Sequence, residues 1–478
     1  MAWLWGILLG LVAGFVAAAV IAAISRRDTE KTHAIYYLLQ RHFQPTPVGE
    51  LRVATRQFPM RMRADVQRGF DAMFGGELTV ARLMGVKYEH EYFQGIELAH
   101  LLTGTQVATQ VPVQYEEVNI GEAAPVRVQD SSLWLVHGKQ RPGAILLSRV
   151  RSMHGPGTVR VDVAAPNDGP GGELIQAVYA RIEELVRLAP SYRGKILSLE
   201  ASDEYSGEGT GLKVHTLAPV AREEVILPDE TLALLDRNVI NFVGRRARLS
   251  ELGQSKKKGL LLFGPPGVGK THTIRYLSTS MPGQTTLLMT GEQVGMLAEY
   301  MSLARLLQPS IVVIEDVDLI ARSREQHDGP CTEVMLNKLL NEMDGLKDDA
   351  EILFILTTNR PQDLEEALAA RPGRIDQAIE FACPDEEGRR KLAQLYGRRV
   401  KLPVDVEELL VAQSEGGSGA FIKELIRRSV QFQMERADDG VIATEDVQAA
   451  LDELLRRGGE VNARSLGAPL GLRGRLGF

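Results

Sequence analysis

A chain of 478 residues is too long for one hydrophobic core and divides into two or three domains. At 44% apolar and 24% charged residues its composition is that of a globular protein, which excludes wholesale disorder. The net charge of −7 excludes attachment to nucleic acid through bulk charge, so no nucleic-acid partner is expected, and Cys331 and Cys383 form neither a disulfide framework nor a zinc spacing.

In chain order, the first feature is an uncharged run from Trp3 to Ile24, long enough to cross a bilayer core of roughly 30 Å. Arg26, Arg27 and Lys31 follow it and no basic residue precedes it. The excess of positive charge on the C-terminal side predicts a single transmembrane helix over residues 1–25 with everything after it in the cytoplasm. A cleaved signal peptide would need a basic start and a shorter apolar core.

Residues 28–43 and 62–74 read as amphipathic helices. From Val111 to Ala164 the segments VPVQYEEV, SSLWLVH, GAILLSRV and TVRVDVA read as strands. Leu174, Ala177, Val178, Ile182, Leu185 and Val186 mark one face of a helix, and KILSLE closes the region as a further strand. Together these predict an α+β domain over residues 26–224, of unknown role. Its His90–Glu91 pair opens HEYFQ, which lacks the second histidine of a zinc-protease HExxH because Gln94 stands there.

From Val225 the pattern changes to helices alternating with the apolar runs GLLLF, TTLLM, SIVVI and ILFIL. Such runs predict a parallel sheet covered on both faces, over residues 225–383. Helices at 386–397, 405–413, 418–435 and 444–456 predict a helical lid over 384–458. A Gly- and Arg-rich tail, 459–478, is expected to be disordered.

The chemistry concentrates in the parallel-sheet region. Gly264, Pro265, Pro266, Gly267, Val268, Gly269, Lys270 and Thr271 spell GxxxxGKT between an apolar strand and a helix, the context a P-loop needs. Glycines let backbone N–H groups wrap phosphates, and the helix N-terminus adds positive dipole. Lys270 suits the β/γ-phosphates, Thr271 suits Mg²⁺, and His272 continues the helix. ATP and Mg²⁺ are the ligands this predicts. Glu315 and Asp316 end the apolar strand SIVVI, where one acidic group would hold Mg²⁺ and another would activate water. Asn359 stands at the tip of ILFILTTN, and Arg371 and Arg374 flank a Pro-Gly turn.

The succession GPPGVGKT, VVIEDVDLI, LLNEMDGL, TTNRP and RPGRIDQAIEF, over about residues 225–458, resembles the AAA family of P-loop ATPases. The resemblance implies a P-loop NTPase α/β domain with a C-terminal helical lid, a homohexameric ring and a protein substrate. It implies that Asn359 is the sensor residue, and that Arg371 and Arg374 are fingers reaching the neighbouring subunit's γ-phosphate. Gly419 and Ala420 match the family's segment beside the adenine. The order Glu315–Asp316 departs from the usual Asp–Glu and is similar to that of the mitochondrial AAA translocase exporting the folded Rieske protein. In register, Asp316 takes the water-activating position and Glu315 the Mg²⁺ position.

A second departure is the stretch after TTLLM, where many family members carry an aromatic pore loop; here either Gln293, Val294 and Gly295 take its place or the loop is deleted, and both alignments remove the aromatic grip. Tyr300, spaced with Leu297, Met301 and Leu303, is expected to pack rather than grip. The expected function is a membrane-anchored AAA ATPase that remodels or translocates a protein partner. The alternative is a nucleotide-gated scaffold with little hydrolysis. An AAA protease is not expected, because HExxH is absent.

Overall fold

The computed structural model describes residues 34–74, 76, 78–88, 95–105, 108–150, 157–199, 211–322, 331–362 and 375–454. The expected transmembrane helix, His90–Glu91, Arg371, Arg374 and the 459–478 tail lie outside the described residues. Among the described residues no helix is long and apolar enough to cross a membrane. The chain divides into two compact units, one over Met1–Ser191 and Glu200–Lys213, the other over Tyr192–Leu199 and Val214–Phe478.

The first unit is built on strands β1 (Leu51–Pro59), β2 (Thr79–Tyr88), β3 (Ala108–Val111), β6 (Ser132–His137), β7 (Pro142–Val150) and β8 (Thr158–Pro166). They form an antiparallel sheet in the order β1-β8-β7-β6-β2-β3, and β4 (Tyr115–Val118) pairs with β5 (Val126–Gln129) as a separate ribbon. Alternation sends Trp134, Val136, Ile145 and Leu147 to one face, against helices Arg63–Phe74 and Gly169–Leu188. Leu133, Leu135, Ala144 and Leu146 go to the other, against helices Ala34–Phe43 and Leu98–Thr103. Both faces are covered, which is why β6 and β7 read as unbroken apolar runs.

Strands β1 and β2 leave weaker signals. In β1 only Phe58 is buried, and in β2 a register shift between Val80 and Arg82 breaks the alternation.

The second unit holds β9 (Ile196–Leu199), β11 (Lys258–Phe263), β12 (Thr285–Thr290), β13 (Ser310–Glu315), β14 (Ile352–Thr358) and β15 (Gln377–Glu380). With β10 (Leu212–His215) they make a seven-stranded sheet, ordered β10-β9-β12-β13-β14-β11-β15. Every pairing from β9 to β15 is parallel. Consecutive strands β11 and β12 are not neighbours. β14 and β13 lie between them, so the carboxyl ends of β11, β13 and β14 meet where the chain crosses over, the place where open α/β sheets bind ligands.

Strand β9 corrects the expected boundary at 224/225. KILSLE does not close the α+β domain; it lies parallel to β12, Ile196 opposite Thr286 and Leu197 opposite Leu287. The Gly194 N–H donates to Thr285 Oγ1 at 2.9 Å, and the Leu199 N–H donates to the Tyr300 hydroxyl at 2.8 Å. Gln293 Nε2 donates to Leu199 O at 2.8 Å. A short apolar strand after a helix carries the same signal whichever sheet it joins, so the partner strand decides and the local sequence does not. Tyr300 is fully buried, in agreement with a packing role.

The lid consists of helices Glu386–Gly397, Val404–Gln413, Gly419–Arg436 and Thr444–Asp452, around a core that includes Leu410, Phe421, Leu425 and Val447.

Candidate functional site

Strand β11 runs into a loop that only glycine permits. Gly264, Gly267 and Gly269 have φ of +149°, +79° and +104°. A Cβ on Gly264 would sit 2.1 Å from the Phe381 carbonyl oxygen, and one on Gly267 2.8 Å from Ala420 Cβ and Ser418 Oγ. The loop ends at helix Lys270–Ser280, whose first turn carries backbone N–H groups without intrahelical partners and the positive end of the dipole.

Lys270 is 7% exposed. Its Nζ donates to Gly264 O at 2.7 Å, Pro265 O at 2.9 Å and Asn359 Oδ1 at 2.9 Å. Burial pulls its pKa down to about 8, against the opposing charges of Asp316 and Asp318. Asn359, just past the end of β14, donates from Nδ2 to Asp316 Oδ1 at 3.0 Å. A cation on one side and a carboxylate on the other fix which end of the amide is which. Lys270, Asn359 and Asp316 thus form one hydrogen-bonded line across the ends of β11, β14 and β13.

Asp316 leaves β13 at φ +52°, in the left-handed region, and its N–H donates to Thr357 Oγ1 at 3.0 Å. Glu315, the last residue of β13, has a buried Oε1 that accepts no hydrogen bond among the described residues. A buried carboxylate oxygen without a donor is costly, and it points to a ligand that would complete it. Glycine cradle, buried lysine and spare carboxylate oxygen together fit a nucleoside triphosphate with Mg²⁺.

The other expected residues fall around this line. Pro265, Pro266, Thr271 and His272 are exposed, and Val268 is buried beneath the loop. His272 Nε2 lies 3.1 Å from the Glu224 carbonyl, whose oxygen can only accept, so Nε2 carries the proton. The Glu224 carboxylate pairs with Arg398 at 2.8 Å, which holds its pKa below the usual range. Ala420 N donates to Gly267 O at 3.0 Å, so the first turn of lid helix Gly419–Arg436 is bonded to the loop. Ser418 caps that helix by accepting from Phe421 N at 3.2 Å.

Several residues that form the site carry no motif of their own. Asp318, 3% exposed, accepts from Thr358 Oγ1 at 2.9 Å and from Asn359 N at 3.2 Å. Its signal is the third acid of EDVD, which reads equally well as a helix-start residue. A cleft of about 120 Å³ is walled by Val225–Asp229, by Gly267–Gly269 and by Leu392, Tyr396 and Gly419 of the lid. Burial raises the pKa of Tyr396. The Val225–Asp229 wall is an ordinary apolar segment in sequence, and only its position beside the loop marks it.

Residues 260–383 match the ATPase family associated with various cellular activities (AAA). The chain is 31% identical over 231 residues to the ATP-dependent zinc metalloprotease FtsH of Thermus thermophilus, covering 46% of this chain and 37% of that one. It is 33% identical over 215 residues to the Cell division cycle protein 48 homolog of Archaeoglobus fulgidus, covering 43% and 29%. To the 26S proteasome regulatory subunit 8 of Caenorhabditis elegans it is 34% identical over 223 residues, covering 44% and 53%. The chain therefore spans between 29% and 53% of the length of these relatives. The glycine loop, the buried lysine and the strand-end acids all lie within residues 260–383, the span that matches the AAA ATPase family.

Proposed function

We propose that this chain hydrolyses ATP as a homohexamer, is anchored in a membrane by residues 1–25 with the ATPase domain in the cytoplasm, and remodels or translocates a protein partner. The observation that carries the hydrolytic reading is the hydrogen-bonded line Lys270–Asn359–Asp316 beside the Oε1 of Glu315, which has no donor among the described residues. Lys270 exchanges the carbonyls of Gly264 and Pro265 for the β/γ-phosphates. Asn359 orients the attacking water, and Asp316 accepts its proton as the water oxygen bonds to the γ-phosphorus and ADP leaves. Mg²⁺, when bound, offsets the charge of the phosphates, and Thr271 and Glu315 are the residues that would hold it. Arg371 and Arg374 act on the neighbouring subunit's γ-phosphate.

The protein-directed reading is supported by relatives named as an ATP-dependent protease and a proteasome regulatory subunit. The Glu315–Asp316 order, similar to that of the Rieske-protein translocase, supports movement of a folded partner. So does Gln293, bonded to Leu199 where a threading motor would place a gripping side chain. The anchor rests on the uncharged run Trp3–Ile24 followed by Arg26 and Arg27.

The test is crosslinking and pull-down from membranes with Asp316→Asn, expected to hold ATP and partner together, beside Lys270→Ala, expected to hold neither. Equal recovery of proteins by both variants would count against ATP-dependent action on a partner. Extraction of the chain by alkaline carbonate would count against the anchor.

A further inference from the structure

The tip of β14 carries two hydroxyls that packing does not call for. Its sequence is ILFILTT, and all seven residues are buried. Valine or isoleucine would fill Thr357 and Thr358 as well as the five apolar residues before them. Each hydroxyl instead makes a specific bond to the end of β13. The parallel ladder between β13 and β14 stops at Ile314–Leu356. One step further, where Asp316 turns into the left-handed region, Thr357 Oγ1 replaces the missing ladder acceptor and takes the Asp316 N–H at 3.0 Å.

Thr358, on the opposite face of the strand, donates to Asp318 Oδ1 at 2.9 Å, and the same oxygen receives the Asn359 N–H at 3.2 Å. Thr358 Oγ1 also accepts from Arg360 N at 2.9 Å, so the turn after Asn359 is closed on itself. Thr357 fixes the backbone of Asp316, and Asp318 with Thr358 fixes the backbone of Asn359. The two side chains so fixed meet at 3.0 Å. None of the three supporting residues lines the cleft beside the P-loop.

We propose that Thr357 and Asp318 are positioning residues for ATP hydrolysis, holding Asp316 and Asn359 at the separation that lets them share one water. The proposal rests on the reading of Asp316 as the base. A left-handed aspartate is tolerated but not preferred. Without the Thr357 acceptor its half-buried N–H loses this partner, and the backbone is free to relax toward a helical start that swings the carboxylate away from Asn359.

The experiment compares Thr357→Val, which keeps shape and burial but removes the hydroxyl, with Thr357→Ser, which keeps the hydroxyl and removes the methyl. It uses the full chain, measures kcat and KM for ATP, and includes Asp316→Asn as reference. Thr357→Val is expected to lower kcat on the order of 10-fold with KM changed less than about twofold, and Thr357→Ser to recover most of the rate. Asp318→Asn, which retains an acceptor oxygen, is expected to lose less than Asp318→Ala. If Thr357→Val does not fold, Thr357→Ala against Thr357→Ser carries the same comparison. Equal losses in the valine and serine variants, or a valine variant at the wild-type rate beside an inactive Asp316→Asn, would overturn the positioning role alone. A fully active Asp316→Asn would remove the base assignment, and the positioning role with it.

Discussion

Both units bury carboxylates, and they use them differently. In the first unit Asp162 is fully buried, and its Oδ1 accepts from Thr55 Oγ1 and Arg160 Nε, each at 2.8 Å. Its Oδ2 accepts from Leu98 N at 2.9 Å, tying the start of helix Leu98–Thr103 to the sheet. Both of its oxygens therefore have donors among the described residues. In the second unit Glu315 keeps a buried oxygen with no donor among the described residues, and Asp316 points its carboxylate at an amide that also holds a lysine. A satisfied buried acid is part of the scaffold; an incomplete one marks where chemistry is added. Topology underlies the difference, since parallel strands all end on one side and gather such acids, while an antiparallel sheet disperses its strand ends.

The comparison predicts a split between variants that lose function and variants that lose stability. Lys270→Ala is expected to show the largest effect, a loss of ATP turnover of about 10³-fold with little change in the unfolding midpoint. Phosphate release and a thermal melt on the same preparation check it, and a large drop in the midpoint would break the distinction. Asp162→Ala is expected to do the reverse. It leaves the Leu98 N–H without its buried acceptor and Arg160 paired with Glu97 alone, costing roughly 1–3 kcal/mol in a denaturant titration of the first unit.

Tyr300→Phe sharpens the comparison at the edge of the second sheet. It removes the hydroxyl that accepts from Leu199 N, and should cost about 1–2 kcal/mol. Hydrogen exchange at Leu199 should rise while exchange within β13 stays slow. Uniform acceleration across the sheet would mean that β9 is not separately held.

The smallest expected effect is in the lid. Glu424 has its pKa lowered from 4.5 to about 2, chiefly by its hydrogen bond to Arg427 and further by Arg428, against a burial cost. A depressed carboxylate pKa gives stability that is present above pH 4.5 and is lost as pH falls from there toward 2. Glu424→Gln should lower the lid's stability slightly at neutral pH, leave it unchanged near pH 2, and so flatten the acid limb between them; an unaltered acid limb would assign no role to this pair.

How much of this was legible in sequence follows the range of each interaction. The P-loop, the acid pair and Asn359 are local motifs at the ends of apolar strands, and the fold brings them together. The lid helices are legible within one or two residues; of the last, expected over 444–456, residues 455 and 456 lie outside the described residues. Asp318 and Thr357 were not legible, because their role depends on which strand lies beside them and 41 positions separate Asp316 from Thr357. KILSLE is legible as a strand but not as part of the second unit, since its partner β12 begins only at Thr285. β1 was missed because it buries so little, and β2 because its bulge interrupts the period.

The central claim is that Asp316 and Glu315 divide the work of hydrolysis, with Asp316 taking the proton and Glu315 serving the metal. Phosphate release and retained nucleotide, measured together for the wild type, Asp316→Asn and Glu315→Gln, test it most directly. Turnover is expected in the wild type, bound and unhydrolysed ATP in Asp316→Asn, and a Mg²⁺ requirement shifted to higher concentration in Glu315→Gln. Stalled, ATP-loaded Glu315→Gln beside an Asp316→Asn that loses its Mg²⁺ dependence would reverse the assignment. A wild type that binds ATP and releases no phosphate would contradict hydrolysis itself.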